Sequence, residues 1–258
     1  MQKYLYVLFF MLGSFCVGIA QDEPRSAAMQ QAVEEFDKFH YVDAAKMFES
    51  VISKEPNNLE AKEKLAMCFR KMNNPQNAER WYALIVNESA DPMNKLYYAQ
   101  ALAQNQRYPE SKEWYQKFAE SMRGDKRGKE FANSYTDVDK FFQDSERYTI
   151  ELAPFNSKDA DFSPTYYKGG IVFCSSRPRT DNKNKLIHKW TGKRFLDRYY
   201  APGGGAKARP LSEALNTQYH EGSAMFYNDY NSIIFTRNNF NDGKYGTSSE
   251  DINKLKLF

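Results

Sequence analysis

Cysteine and histidine are both scarce, with three of each in 258 residues. Cys16 lies near the start, and only Cys68 and Cys174 occur further on, in two different kinds of predicted element. That excludes a disulfide-built framework and leaves two cysteines that read as small buried hydrophobes. His40, His188 and His220 are scattered. His220-Glu221 has no second histidine at ligand spacing, so it reads as the brace of a turn and not as half a metal site. No serine stands in a Gly-x-Ser-x-Gly context, which removes the nucleophile elbow. Gly203-Gly204-Gly205 is followed by no Lys-Ser or Lys-Thr, which removes a phosphate loop. Asn241-Asp242-Gly243-Lys244, with Glu250-Asp251, lacks the alternating register of a calcium loop and reads as a hairpin turn. The expectation is a protein without catalytic residues, metal or cofactor.

Long apolar runs are missing too. Nothing after residue 20 could span a bilayer. In the first twenty residues Lys3 is the only charge, Tyr4 to Cys16 is almost wholly apolar, and Gly18-Ile19-Ala20 supplies a small-residue cleavage site. This reads as a secretory signal peptide over residues 1–20, with an uncleaved anchor as the alternative. Phe15 is too bulky for a lipidation signal at Cys16. The mature chain is expected outside the cytoplasm, not transmembrane and without a nucleic-acid partner. A formal charge of +3 names no partner by itself.

The rest of the chain is rich in pattern. Between about residues 26 and 122 the spacing is helical. Ala44, Phe48 and Val51 recur as Ala78, Tyr82 and Ile85, then as Ser111, Tyr115 and Phe118, at intervals of 34 and 33 residues. A small residue lets paired helices approach, and an aromatic four positions on fills the same face. Tyr41, Pro75 and Tyr108 mark the turns within each pair. Leu65-Ala66-Met67-Cys68-Phe69 followed by Ala78-Glu79-Arg80-Trp81-Tyr82 resembles the tetratricopeptide repeat, with Ser111 departing from the usual alanine. Such repeats stack because none buries its own faces. The resemblance implies a groove for an extended peptide, with Gln100, Gln104 and Asn105 as its candidate polar contacts. Trp81, Tyr97, Tyr98 and Trp114 read as packing.

Met122 to Lys129 is charged and glycine-bearing, and reads as a break. Asp137 to Glu146 reads as a helix capping the stack, so residues 123–147 form a linker and cap. From Tyr148 the period becomes two. Tyr148-Thr149-Ile150-Glu151-Leu152 reads as a strand, followed by hairpins around Lys168-Gly169-Gly170 and Asn228 to Asn231, and by a further strand over Phe195 to Tyr200. Asp161-Phe162-Ser163-Pro164 with the strand ending at Arg177 is echoed by His220-Glu221-Gly222 with the strand reaching Arg237; Phe173 and Phe235 lie 62 residues apart. Recurrence at this period is the mark of propeller blades, of which roughly two are present where four to eight close a ring. The chain therefore reads as the front part of a longer protein. From Arg177 to Arg209, ten Lys or Arg residues face only Asp181 and Asp197, a local net of +8. Arg177, Arg179 and Arg194 are the candidate contacts for an acidic partner or lipid phosphates.

These segments resemble WD-like repeats of the TolB type. The order of signal peptide, tetratricopeptide repeats and propeller is similar to the N-terminal part of Bacteroidota OmpA-family envelope proteins, some of which serve type IX secretion. The expected fold class is α + β multidomain: an α-helical tetratricopeptide solenoid over 21–122 and an incomplete β-propeller over 148–258. The resemblance implies a periplasmic, outer-membrane-associated scaffold with envelope proteins as partners. It implies peptidoglycan contact only through a C-terminal domain that this sequence does not contain. A glycan-binding or sensory propeller, with Trp190 as a stacking residue, is the alternative. A hydrolase would need a domain beyond Phe258.

Overall fold

A computed structural model of the chain describes residues 25–135, 140, 143–179, 186–203, 205–250 and 252–258. The expected signal peptide lies outside them. Seven helices come first among these residues: α1 (Ala27–Asp37), α2 (Tyr41–Lys54), α3 (Leu59–Lys71), α4 (Pro75–Ile85), α5 (Met93–Gln104), α6 (Tyr108–Ser121) and α7 (Lys126–Ser134). Each packs on its successor, and α3 also touches α1 and α5. The sequence period is written into the backbone. Tyr41, Pro75 and Tyr108 each begin the second helix of a pair. Just before them, Phe39, Asn73 and Gln106 adopt φ of 61°, 55° and 63°, the left-handed conformation that ends the first helix. Asn58 and Asn74 accept from the Ala61 and Asn77 amides at 2.9 and 3.2 Å, capping α3 and α4.

The repeated positions are the interior. Ala44, Ala78 and Ser111 are buried, as are Phe48, Tyr82, Tyr115, Val51, Ile85 and Phe118. Ser111 replaces an alanine without leaving its hydroxyl unmatched, because its Oγ donates to the Ala99 carbonyl at 2.8 Å and bonds the Tyr135 hydroxyl at 2.8 Å. Leu65 and Ala66 are buried; Phe69, Trp81, Tyr97 and Trp114 pack at cluster edges.

The expected break at Met122 to Lys129 is confined to Met122–Asp125, and helix α7 begins at Lys126. Gly128 does not interrupt it but allows close packing: a Cβ there would lie 2.8 Å from the Phe118 ring and from the Tyr115 carbonyl. Ala132 completes the third helical cluster. Most of the helix expected over Asp137 to Glu146 falls outside the described residues, and Gln143 to Arg147 form a turn. The strand expected at Tyr148 to Leu152 does not form; Ile150 and Leu152 are 93% and 86% exposed. Alternation produces a strand only where a sheet edge accepts it.

The strands are β1 (Asp161–Tyr167), β2 (Gly170–Ser175), β3 (Ile187–His188), β4 (Lys193–Arg194), β5 (Asp197–Ala201), β6 (Arg209–Pro210), β7 (Glu221–Tyr227), β8 (Ser232–Asn238), β9 (Phe240–Asn241), β10 (Lys244–Tyr245) and β11 (Leu255–Leu257). All pairings are antiparallel. The first sheet runs β1-β2-β5-β6 and the second β7-β8-β11, with two ribbons, β3-β4 and β9-β10. The α + β class is thus present as helices followed by small antiparallel sheets.

The two sheets repeat the same entry to their first hairpin. Both first strands carry a register shift, between Phe162 and Thr165 and between Glu221 and Ala224. Pro164, which lacks a ladder donor, sits at the first of these shifts. The Ser157 and Thr217 amides donate to the carboxylates of Asp161 and Glu221, at 2.6 and 2.7 Å. Ala160 and His220 amides donate to the side chains of Ser176 and Asn238, which return backbone bonds.

Candidate functional site

Helix ends and buried charges decide which polar side chains are free to act. Gln104 and Asn105 close α5, and with Gln76, Glu79, Arg80 and Gln106 they line a polar depression of about 530 Å³. Asn105 is held firmly there. Its Nδ2 donates to the Pro75 carbonyl at 3.0 Å and to Glu79 Oε2 at 2.6 Å, which fixes the amide's orientation. Arg107 pairs with Glu79 from the other side and with Glu110 at 2.9 Å. Asn105 Oδ1 is buried and finds no hydrogen-bond partner among the described residues. The amide side chains of Gln76, Gln104 and Gln106 line the depression around it and carry both donors and acceptors, chemistry suited to an extended backbone. Gln100 is not in the depression. It accepts from Arg70 Nη2 at 3.3 Å, with Arg70 itself lying 4.0 Å over the Tyr97 ring.

The arginines expected at a partner surface are largely committed inward. Arg177 Nη2 donates to Asp161 at 2.6 Å and to the Phe155 carbonyl at 2.9 Å, and its guanidinium lies over Phe173 and Tyr199. Arg179 has a side chain only 4% exposed and lies 3.8 Å from Asp197. Arg194 is half-buried in β4. Arg198 is wholly enclosed with Glu221, at 2.9 Å. Arg177, Arg179 and Arg198 are thus turned inward, because burying a cation demands a paired anion and a full set of acceptors, whereas Lys189, Lys193, Lys207 and Arg209 of the same run are exposed. Lys183 and Lys185 lie outside the described residues. Arg237, at the equivalent end of β8, stacks 4.1 Å over Phe258 and donates to Asn241 at 2.7 Å.

Arg198 was absent from the sequence expectations, yet it joins the sheets. From β5 of the first sheet it donates to the Leu215, Gly222 and Thr236 carbonyls as well as to Glu221. Burial lowers its pKa while Glu221 opposes that shift. Gly222 is required where it stands, since a Cβ there would fall 2.3 Å from Thr236 Oγ1. Only the acidic residue at Glu221, equivalent to Asp161, signalled that a cation would arrive.

His220 braces the entry to β7. Its Nδ1 accepts from the Leu196 amide at 3.1 Å, and its ring meets that of His188 edge-on at 4.5 Å. Burial first, then His188, pushes its pKa down to about 4. Burial also lowers that of His188. Among the described residues no group of three or more His, Cys, Asp or Glu is placed to hold a metal ion. Asn241 to Lys244 form a tight hairpin between β9 and β10, with Asp242 and Gly243 at φ of 49° and 75°.

Trp190 is not a free stacking platform. It rides at the tip of the β3-β4 ribbon against the helices, edge-on to Tyr41 at 4.9 Å and tilted on Phe39 at 5.8 Å. Its Nε1 donates to the Lys71 carbonyl at 2.7 Å, while the Lys189 carbonyl accepts from the Val42 amide at 3.3 Å. One ribbon tip thus satisfies an orphan carbonyl ending α3 and an orphan amide opening α2. No helix among the described residues is long and apolar enough to cross a membrane. No family model matches this chain, and no curated protein does.

Proposed function

We propose that this chain is a non-enzymatic scaffold of the bacterial envelope, periplasmic and associated with the outer membrane, that grips a partner protein through its helical half. In this reading the three helix pairs are tetratricopeptide repeats and the two sheets are the first blades of a TolB-type propeller. The observation that carries it is the depression at Gln104 and Asn105, where a rigidly held amide keeps one buried acceptor unused. An extended segment of an envelope protein would place its backbone against the amide side chains of Gln76, Gln104 and Gln106 that line this depression. Peptidoglycan attachment would come through another domain or a partner, and type IX secretion is the process the family resemblance suggests.

The reading is tested in cells by placing a photo-crosslinking residue at Gln104. The expected result is one discrete adduct with an envelope protein in the outer-membrane fraction, lost on Asn105→Ala. Saturable binding of a glycan, or hydrolysis of an envelope polymer by the purified chain, would replace the scaffold reading.

A further inference from the structure

One end of the two sheets carries cations and aromatic rings together. There β1 turns into β2 at Lys168-Gly169, β7 turns into β8 at Asn228 to Asn231, and the chain leaving β5 passes over the first turn. A Cβ on Gly203 would lie 2.7 Å from the Gly169 carbonyl oxygen, and the Tyr200 hydroxyl donates to the Lys168 carbonyl at 3.1 Å. Between the turns Tyr167 lies 4.2 Å from Phe226, and the rings of Tyr200 and Tyr230 meet Tyr167 edge-on at 5.5 and 5.6 Å. Lys168 stands 5.3 Å over the Tyr167 ring, and Arg209 stands 5.8 Å over Tyr200.

Both turns hold side chains that their backbone disfavours. Lys168 has a φ of 43°, and Asn228, Asp229 and Tyr230 follow one another at 53°, 51° and 65°. Asparagine and aspartate accept the left-handed region, but a lysine or a bulky tyrosine strains a turn that glycine would make freely. The Tyr230 ring is 41% exposed, so packing recovers only part of that cost. Strain kept at an exposed position points to a contact outside the chain.

Charge at this end is one-sided. Lys168, Lys207 and Arg209 are exposed, and Asp229 is the one carboxylate that the described residues of the two turns and of the loop over 202–208 carry. Elsewhere in the basic run the exposed lysines have anions nearby: Lys189 lies 3.9 Å from Asp43, and Lys193 lies 3.5 Å from Asp159. Cations alone would suit any anion; the rings beside them favour a layer with an apolar interior. Tyrosine beside lysine and arginine is the composition of a lipid–water boundary, where the ring enters the headgroups, its hydroxyl stays wet and the cations meet phosphates.

We propose that this end of the sheets rests on an anionic membrane surface, with Tyr200 and Tyr230 entering the headgroup layer and Lys168, Lys207 and Arg209 set on its phosphates. The contact adds a direct hold on lipid to the scaffold role, and it is independent of what the helices bind.

Flotation with vesicles tests this, using the chain from Gln21 onward because the apolar run from Tyr4 to Cys16 would itself insert in any bilayer. Vesicles of equal parts phosphatidylglycerol and phosphatidylcholine should carry the protein upward, and vesicles of phosphatidylcholine alone should not. Each of Lys168→Gln, Lys207→Gln and Arg209→Gln is expected to weaken binding about fivefold, and the three together about a hundredfold. Tyr230→Asn, which the left-handed turn accepts, should weaken it as well. Lys189→Gln with Lys193→Gln removes two cations of the same run at another place and should change nothing. No binding, equal binding to both vesicles, a triple variant that binds like the wild type, or an equal loss in the Lys189–Lys193 variant would each overturn the proposal. Retention on polyglutamate without vesicle binding would assign the patch to an acidic protein and overturn it too. Should the triple variant misfold by circular dichroism, a dye on Ala206→Cys decides, since Cys68 and Cys174 are buried. An environment-sensitive dye there should brighten on anionic vesicles while one on Glu113→Cys does not, and any other pattern refutes the contact.

Discussion

The helical and sheet halves of this protein hold themselves together by different means. In the helices, three successive apolar clusters run from Met29 to Ala132, each packed by a small residue, an aromatic and an aliphatic at repeated positions. In the sheets one small apolar cluster forms among the described residues, around Phe173, Tyr199 and Ala201, and buried arginine–carboxylate pairs join strands and sheets. The middle helix pair meets a neighbour of its own kind on both sides, and α7 packs on the third pair. A sheet of this size must find its neighbour elsewhere, and the ion pairs fix which neighbour that is. The helical half is therefore expected to tolerate local damage to packing gradually, and the sheet half to fail when a single charge is removed.

The largest effect should come from that charge. Arg198→Ala leaves Glu221 buried without its cation and three carbonyls without their donor, a loss of about 3–5 kcal/mol. Hydrogen exchange should show β5, β7 and β8 losing protection while α2 to α6 keep theirs; equal loss in both halves would break the comparison. Phe118→Ala, a cavity of similar cost at roughly 3–5 kcal/mol, should do the reverse, releasing α6 and α7 first.

Acid should separate the halves next. His220 is held at about 4 against an ordinary value of 6.5. The unfolded chain therefore binds the proton first, and the stability due to the neutral ring is complete above about pH 6.5 and lost as pH falls toward 4. A loss of about 1–3 kcal/mol is expected, concentrated in β7 and absent in His220→Gln, as read by denaturant titration at several pH values.

Trp190→Ala should cost about 1–3 kcal/mol through its two aromatic contacts and one hydrogen bond. Its sharper signature is uncoupling, with one calorimetric transition resolving into two. The smallest expected effect is that of Ser111→Ala, about 1 kcal/mol for a hydroxyl bonded to Ala99 and Tyr135. It should leave the sheet transition unmoved.

Much of this is legible in the sequence alone. The intervals linking Ala44, Ala78 and Ser111 became buried positions, and Tyr41, Pro75 and Tyr108 became helix starts. The hairpins at Lys168-Gly169 and Asn228 to Asn231 formed where the turns were read. Of the candidate site, Gln104 and Asn105 share one depression, whereas Gln100 is drawn off by Arg70. Within the charged run from Arg177, Arg177 and Arg179 turn inward, because charge density in sequence carries no information about which cations are enclosed. Gly128 misled, reading as a break where it serves a close contact.

By itself, then, the sequence determined the three helix pairs, their period, the starts of their second helices and the two echoing hairpins. Those depend on neighbours a few residues apart, through backbone hydrogen bonds, caps and alternating faces. Only the tertiary structure decided that Arg198 would bind Glu221, that Trp190 would seat on α2 and α3, and that Tyr148 to Leu152 would stay outside the sheets. Each of these is a meeting of residues distant in the chain, or the lack of one. Its free energy exists only once burial has removed water and brought the partners within bonding distance.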